Sequence, residues 1–400
     1  MVLIIPFGVI GGFLSVAIGF LLTQSGVPVE RTAALVALGL LPHTWKFAWA
    51  PIVDSTLTRK AWYVLASVLS AAGIFAFGAI PPTQAGLALM SVVVFVANLA
   101  VTLLAMAVES LMAYATPEHL KGRAGGWFQA GYLGGSGIGG GAGLWLAQNL
   151  PSPWMAGAIL ALACLLCGAI LPLVPEPPSE HRHPSLRKRL ANVAADLVGV
   201  ARSRMGALAL ILCFLPIGSG AASGLWAAVA KDWSASANTV AMVTGVLGGL
   251  VSAVGCLAGG WLSDRMNRKT AYACYGVLQA LCAVGMALAP RNESTYVVFT
   301  LVYAFIMGLT YAGFTAFVLE AMGLGAAATK YSLYASLSNM PIWYVTQVDG
   351  WAHTRFGPQG MLFAEAILGG IGLLIFAAVM SVWRGSAATR LSAPPRPALP

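Results

Sequence analysis

Gly260–Lys269 reads GWLSDRMNRK, a short charged turn between two long apolar runs. Its weaker echo, APIVDSTLTRK, occupies Ala50–Lys60, again between apolar runs. Asp54 and Asp264 are 210 residues apart, and two other landmarks keep nearly the same spacing. Pro6-x-Gly8 recurs as Pro216-x-Gly218 at an offset of 210, and Glu109 recurs as Glu320 at 211. Polar and helix-breaking landmarks at one spacing predict a chain built from two related halves, with a site between them.

The runs around these turns set the class. Hydrophobic residues make up 58% of the chain and charged residues 9%, a balance foreign to soluble domains. Apolar stretches of about 20 residues recur, each long enough to cross a bilayer as a helix. Twelve spans are expected, starting near residues 2, 29, 60, 84, 120, 151, 206, 237, 270, 294, 327 and 359. Barrel strands would be shorter and would alternate polar with apolar. Pro6 and Gly8 interrupt the first run and no basic segment precedes it, so it reads as a retained span, not a cleavable signal. The longest polar stretch, Pro175–Met205, divides the spans six and six. The expected organisation is a six-helix bundle over 1–174, a cytoplasmic linker over 175–205, a second bundle over 206–384 and a cytoplasmic tail over 385–400.

The net charge of +9 is distributed by side of the membrane. With both termini cytoplasmic, Arg31, Lys231, Arg291 and Arg355 fall outside and Lys46 within the membrane, leaving 17 of the 22 Lys and Arg residues inside. That asymmetry is the positive-inside pattern of a multi-pass inner-membrane protein. The basic patch Arg187, Lys188, Arg189 is therefore assigned to anionic lipid and not to nucleic acid. Cys164 and Cys167 form a CxxC inside an apolar helix and read as small core residues; His181-x-His183 lies in the polar linker and reads as solvated loop. No cofactor and no metal site is expected.

GWLSDRMNRK resembles the cytoplasmic loop signature of the major facilitator superfamily, G-x-x-x-D-R-x-x-R-K, which joins spans two and three and often recurs between spans eight and nine. The copy at Ala50–Lys60 lacks the leading glycine and the arginine after Asp54, but keeps Arg59 and Lys60. The resemblance implies an all-α membrane protein of two pseudo-symmetric six-helix bundles working by alternating access. Leu41–Asp54, LPHTWKFAWAPIVD, is similar to the K-F-x-W-x-P-x-x-D run of the branch containing AmpG-type muropeptide permeases, acetyl-coenzyme A transporters and some siderophore permeases; Lys46, Phe47, Trp49, Pro51 and Asp54 match it. Glu109 and Pro117–Arg123 fit the same branch loosely. In span five, GYLGGSGIGG (Gly131–Gly140) resembles the glycine motif of proton-coupled drug antiporters, with Ser136 where that motif has proline. The competing reading is close helix packing through small residues. The GSGIGG within it matches a dinucleotide fingerprint only formally, because no strand precedes it.

Charged groups within the spans are few. Lys46 lies eight residues before Asp54, roughly 12 Å along a helix, where an ionisable group is by default functional. His43, Lys46 and Ala50 would share one face of a continuous helix. Lys46 is expected to meet either an acidic substrate group or a carboxylate of another span. The candidate substrate-binding set is Lys46, His43, Trp45, Gln129, Trp226, Tyr311, Asn339 and Trp343, a mixture suited to a bulky, partly polar ligand. Asp349, without an obvious partner, is the first candidate for proton coupling, with Glu365 second. Asp54, Glu109, Arg123, Asp264, Arg265, Arg268, Lys269 and Glu320 form the expected gating set, with Glu109 and Glu320 paired to loop arginines such as Arg123 or Arg265.

No nucleophile triad, Walker loop or metal cluster is present, so no enzyme is expected. The expected function is proton-coupled uptake of a bulky polar solute of muropeptide or siderophore type. The expected partners are a small-molecule substrate, protons and membrane lipid, with no nucleic acid, and a monomer is expected. The alternatives are a proton-coupled drug or metabolite exporter and a non-transporting membrane sensor or scaffold.

Overall fold

The computed structural model describes residues 1–49, 53, 56–115, 121–175, 191, 195, 198–199, 202, 204–263, 265–322 and 333–391. Helices dominate, and no strand occurs among the described residues. They run as α1 (Val2–Gln24), α2 (Val29–Thr44), α3 (Arg59–Ala79), α4 (Leu87–Ala115), α5 (121–149), α6 (Pro153–Leu173), α7 (204–233, interrupted), α8 (Ala237–Ser263), α9 (Arg268–Leu288), α10 (Glu293–Met322), α11 (339–356) and α12 (358–391). The expected span starts fall within three residues of these, except for span eleven, whose expected start at 327 lies outside the described residues.

Among the described residues, eight segments meet both the length and the hydropathy needed to cross a membrane. One of them, Leu333–Ser381, is two spans: Gly357 adopts φ +72°, ψ −171° ahead of Pro358 and folds α11 back into α12. The other three spans explain their own omission. The regular part of α2 has 16 residues, that of α7 has 11, and α5 is glycine-rich.

Caps mark where the chain re-enters the bundle. Thr58 Oγ1 accepts the Ala61 N–H at the start of α3, and Ser236 Oγ accepts the Thr239 N–H at the start of α8. In the GWLSDRMNRK turn the capping acceptor is Asn267, whose Oδ1 takes the Lys269 and Thr270 N–H groups. Asp264 and Asp54 lie outside the described residues.

The glycines of α5 are used in packing. A Cβ at Gly131, Gly135 or Gly139 would collide with the carbonyl oxygens of Met1, Ile5 and Val9, so α5 lies backbone to backbone on α1 at four-residue intervals. The opposite face of α5 meets α8, where a Cβ on Gly245 would stand 2.6 Å from Gly141 Cα. The two six-helix bundles also meet where Gly350 of α11 lies against Ala33 and Glu30 of α2, and where the Glu30 N–H donates to Thr354 Oγ1 at 3.3 Å.

These junctions lie toward the face bearing the α1–α2, α7–α8 and α11–α12 turns, the odd-loop face. The even-loop face carries the α2–α3, α6–α7 and α8–α9 connections. One buried apolar cluster, including Phe13, Leu35, Trp226, Tyr303 and Met361, spans both bundles. Large apolar side chains such as Leu162, Leu257, Leu281 and Leu374 are exposed around the outside, the surface that lipid covers.

The sequence echo between Pro6-x-Gly8 and Pro216-x-Gly218 does not repeat the local structure. Pro6 sits in the first turn of an unbroken helix, where its missing N–H costs nothing. Pro216 sits in a break: Gly218 (φ +56°) and Gly220 (φ +72°) take left-handed backbone that α1 never adopts.

Candidate functional site

The break in α7 creates the most unusual polar environment in the bundle. Carbonyls freed by unwinding must find donors at membrane depth. Tyr344 Oη donates to Phe214 O (2.8 Å), Tyr272 Oη to Ile217 O (3.0 Å) and Ser223 Oγ to Gly220 O (2.6 Å). These bonds hold the segment open, and Ser219 at its centre turns toward α12. Ser219 Oγ donates to Glu365 Oε1 at 3.4 Å, and Tyr303 Oη of α10 donates to the same oxygen at 2.7 Å.

Glu365 is 5% exposed and Asp349 0%. The two carboxyl groups lie within hydrogen-bonding reach of each other, so the first and second proton-coupling candidates form one pair. Gln279 of α9 lies beside the Tyr303 hydroxyl and accepts from Thr310 Oγ1 at 3.5 Å. Trp226, expected on a cavity wall, is buried and set edge-on to Tyr303 with ring centroids 5.2 Å apart. Sequence reasoning missed Ser219 as a site residue. The glycines flanking it were its signal, because left-handed backbone inside a span marks a discontinuous helix.

A small cleft opens on the even-loop side of this break, lined by Ser219, Tyr272, Thr310, Tyr311, Phe314 and Asn339 among others. Of the expected binding residues, Tyr311 and Asn339 line this cleft, while Trp343 is half-buried on α11 and not part of that lining.

The first bundle holds the other charged centre. Lys46 Nζ and Glu109 Oε1 are 3.1 Å apart, with side chains 13% and 37% exposed. Of the two partners expected for Lys46, a carboxylate of another span is the one present. Of the two arginines expected to pair with Glu109, the Arg123 side chain lies outside the described residues, and Arg265 is engaged elsewhere. Arg265 lies instead over the Trp261 ring at 3.8 Å and donates to Trp261 O.

The expected continuous helical face through Lys46 is also corrected. Pro42 lacks the N–H that would close its turn, α2 ends at Thr44, and Lys46–Ala48 form a 3₁₀ turn. Ala50 lies outside the described residues. His43, still on α2, meets Asn98 Oδ1 at 3.4 Å and packs against Phe7. Trp45 is exposed beside Trp49, whose Nε1 donates to Thr102. Lys269 starts α9 with its N–H capped. Arg123, Gln129, Arg268 and Glu320 are placed on their helices by backbone alone.

Comparison with known proteins follows this geometry. The Major Facilitator Superfamily profile matches residues 1–344. The anhydromuropeptide permease of Escherichia coli (strain K12) is 25% identical over 337 residues, covering 80% of this chain and 67% of the permease. The fold is shared with the nucleoside transporter NupG (TM-score 0.70, 11% identity, covering 95% of this chain and 97% of that one). It is shared also with the xylose transporter XylE from E. coli in a partially occluded inward-open conformation (TM-score 0.64, 15% identity, covering 94% of this chain and 96% of that one). The relatives are membrane transporters of small molecules and not enzymes. The chain is a membrane transport protein and belongs to the Major Facilitator Superfamily.

Proposed function

We propose that this protein is a proton-coupled importer of a bulky polar solute of the muropeptide or siderophore type, seated in the inner membrane with both termini cytoplasmic. The observation that carries the coupling is the buried Asp349–Glu365 pair, linked through Ser219 to the cleft beside the α7 break. Moving one proton inward supplies about 2.3 kcal/mol per 100 mV, which supports roughly fifty-fold accumulation. The muropeptide class is supported by the 25% identity to an anhydromuropeptide permease and by a cleft that mixes aromatic rings with neutral polar groups.

Bundle contacts on the odd-loop face together with a cleft on the even-loop face favour a state open to the cytoplasm. In this reading the solute enters when the α2–α11 and α5–α8 junctions part, and Lys46 and His43 line the first-bundle side of the route. The glycines of α5 are occupied in packing on α1, so they lend no support to an exporter.

Purified protein in proteoliposomes under an imposed inward proton gradient tests the reading, with a radiolabelled anhydromuropeptide and a ferric siderophore as probes. Protonophore-sensitive accumulation of either supports import. Extrusion selects the exporter, and inertness toward both with an intact gradient selects the sensor or scaffold.

A further inference from the structure

Three buried carboxylate oxygens in the α11–α12 hairpin have no hydrogen-bond donor among the described residues: both oxygens of Asp349 and Oε2 of Glu365. Buried acceptors are normally satisfied, so an open set of three in one place needs an explanation. The two groups face each other within hydrogen-bonding reach, yet two carboxylates offer acceptors only. One proton placed between them supplies the missing donor.

Among the described residues the surroundings offer no alternative cation. The α2 helix, packed on α11, brings Glu30, whose backbone meets Gly350 and Thr354, and His43, committed to Asn98. From α9 come Tyr272 and Tyr275, which donate to Ile217 O and Gly259 O. From α10 come Tyr296, which donates to Trp226 O, and Tyr303. His353, on α11 itself, pairs with Asp232 at 2.7 Å, and Lys46 is held by Glu109. Among the described residues, the hydroxyls of Ser219 and Tyr303 reach the pair, and both donate to Glu365 Oε1.

That one-sidedness decides where the proton resides. Donors aimed at a carboxyl oxygen favour its ionised form, and a carboxyl without donors in a dry site favours the neutral form. We propose that Asp349 and Glu365 hold a single proton between them, carried by Asp349 and donated to Glu365 Oε2, and that Tyr303 is the positioning residue that fixes the Glu365 carboxyl for that bond. The proposal deepens the proton-coupled reading, on which its functional meaning rests. Ser219 sits in the broken segment of α7, so a movement of that segment withdraws one donor from Glu365. Binding at the cleft thereby alters how firmly the pair holds its proton.

Infrared difference spectroscopy on the purified full chain at neutral pH reads the proton without any substrate. The wild type is expected to show one protonated-carboxyl C=O band. Asp349→Asn abolishes it, Glu365→Gln retains it, and Asp349→Glu restores an acid band at shifted frequency, which also controls for folding. Tyr303→Phe shifts or splits the band as the proton spreads toward Glu365.

A wild type without the band overturns the proposal, and so does a band that survives Asp349→Asn but is lost in Glu365→Gln. A band removed by sodium chloride and not by choline chloride makes the pair a metal-cation site and overturns it as well. An unchanged spectrum in Tyr303→Phe removes the role of Tyr303. Failure of proton-driven uptake with the band pattern intact overturns the transport reading alone.

Discussion

Lys46 Nζ is held 3.1 Å from Glu109 Oε1, tying the 3₁₀ turn after α2 to the late part of α4. The pair is neither fully buried nor free in solvent, so its strength lies between surface and interior ion pairs. Removing one member leaves an uncompensated charge beside the apolar bundle. Lys46→Ala is expected to destabilise by about 1–2 kcal/mol. Lys46→Ala combined with Glu109→Ala should cost less than the sum of the two single changes. The charge swap Lys46→Glu with Glu109→Lys separates strut from substrate contact. Melting temperature in detergent should recover in the swap, while uptake should not. Recovered uptake would reduce Lys46 to a helix tie.

The twelve spans were legible because apolar run length alone fixes a membrane helix, and starts such as Val29 and Ala237 were placed to the residue. The end of α2 was not, because a helical projection through Lys46 ignores the N–H that Pro42 lacks. The break in α7 was visible as Pro216, Gly218 and Gly220, but the repeat with Pro6 and Gly8 drew attention to symmetry instead of to backbone freedom. Asp349 and Glu365 were read as rivals although each lies eight residues from Gly357. In two helices folding back at that glycine, equal spacing puts both carboxyls at one depth, about 12 Å from the turn. Donors such as Ser219 and Tyr303 come from other helices, and no local pattern announces them.

Backbone contact between α1 and α5 makes a sharp packing prediction. A methyl at Gly135 meets the Ile5 backbone, which has no flexible end to move aside. Gly135→Ala should therefore cost about 1–3 kcal/mol despite the better helix propensity of alanine. At Gly134 an added Cβ has nothing within 4 Å, and Gly134→Ala should be neutral or slightly stabilising. Thermal melts of the two variants check this contrast, and equal effects would refute the α1–α5 seam.

The left-handed residues of α7 should differ from each other. At Gly218 a Cβ meets both unfavourable backbone and Thr310 Cγ2 at 2.7 Å, while at Gly220 it meets the flexible Met307 at 3.0 Å. Gly218→Ala should cost about 2 kcal/mol and Gly220→Ala about 1 kcal/mol. Asparagine tolerates left-handed backbone better than β-branched residues, so Gly220→Asn should outperform Gly220→Val. Chemical-shift or melting comparison of these four variants decides the ranking. If Gly218→Ala melts with the wild type, the segment is not held in the broken form.

Asp349 offers the clearest separation of coupling from binding. Asparagine is nearly isosteric with aspartate and carries no titratable proton, so Asp349→Asn should preserve the fold while removing the group that a proton gradient acts on. Proteoliposomes containing Asp349→Asn should lose gradient-driven accumulation, a factor of roughly fifty per 100 mV for one proton. Exchange of labelled for unlabelled solute across the same membranes needs no net proton movement and should persist. On the proposed pairing, Glu365→Gln should also lose accumulation, because Asp349 then loses the carboxyl group it faces. Tyr303→Phe should retain accumulation but with an altered pH profile, since the bond of 2.7 Å to Glu365 is what biases the pair. Undiminished proton dependence in Asp349→Asn would remove this residue from the coupling path and leave the α7 break as a substrate feature alone.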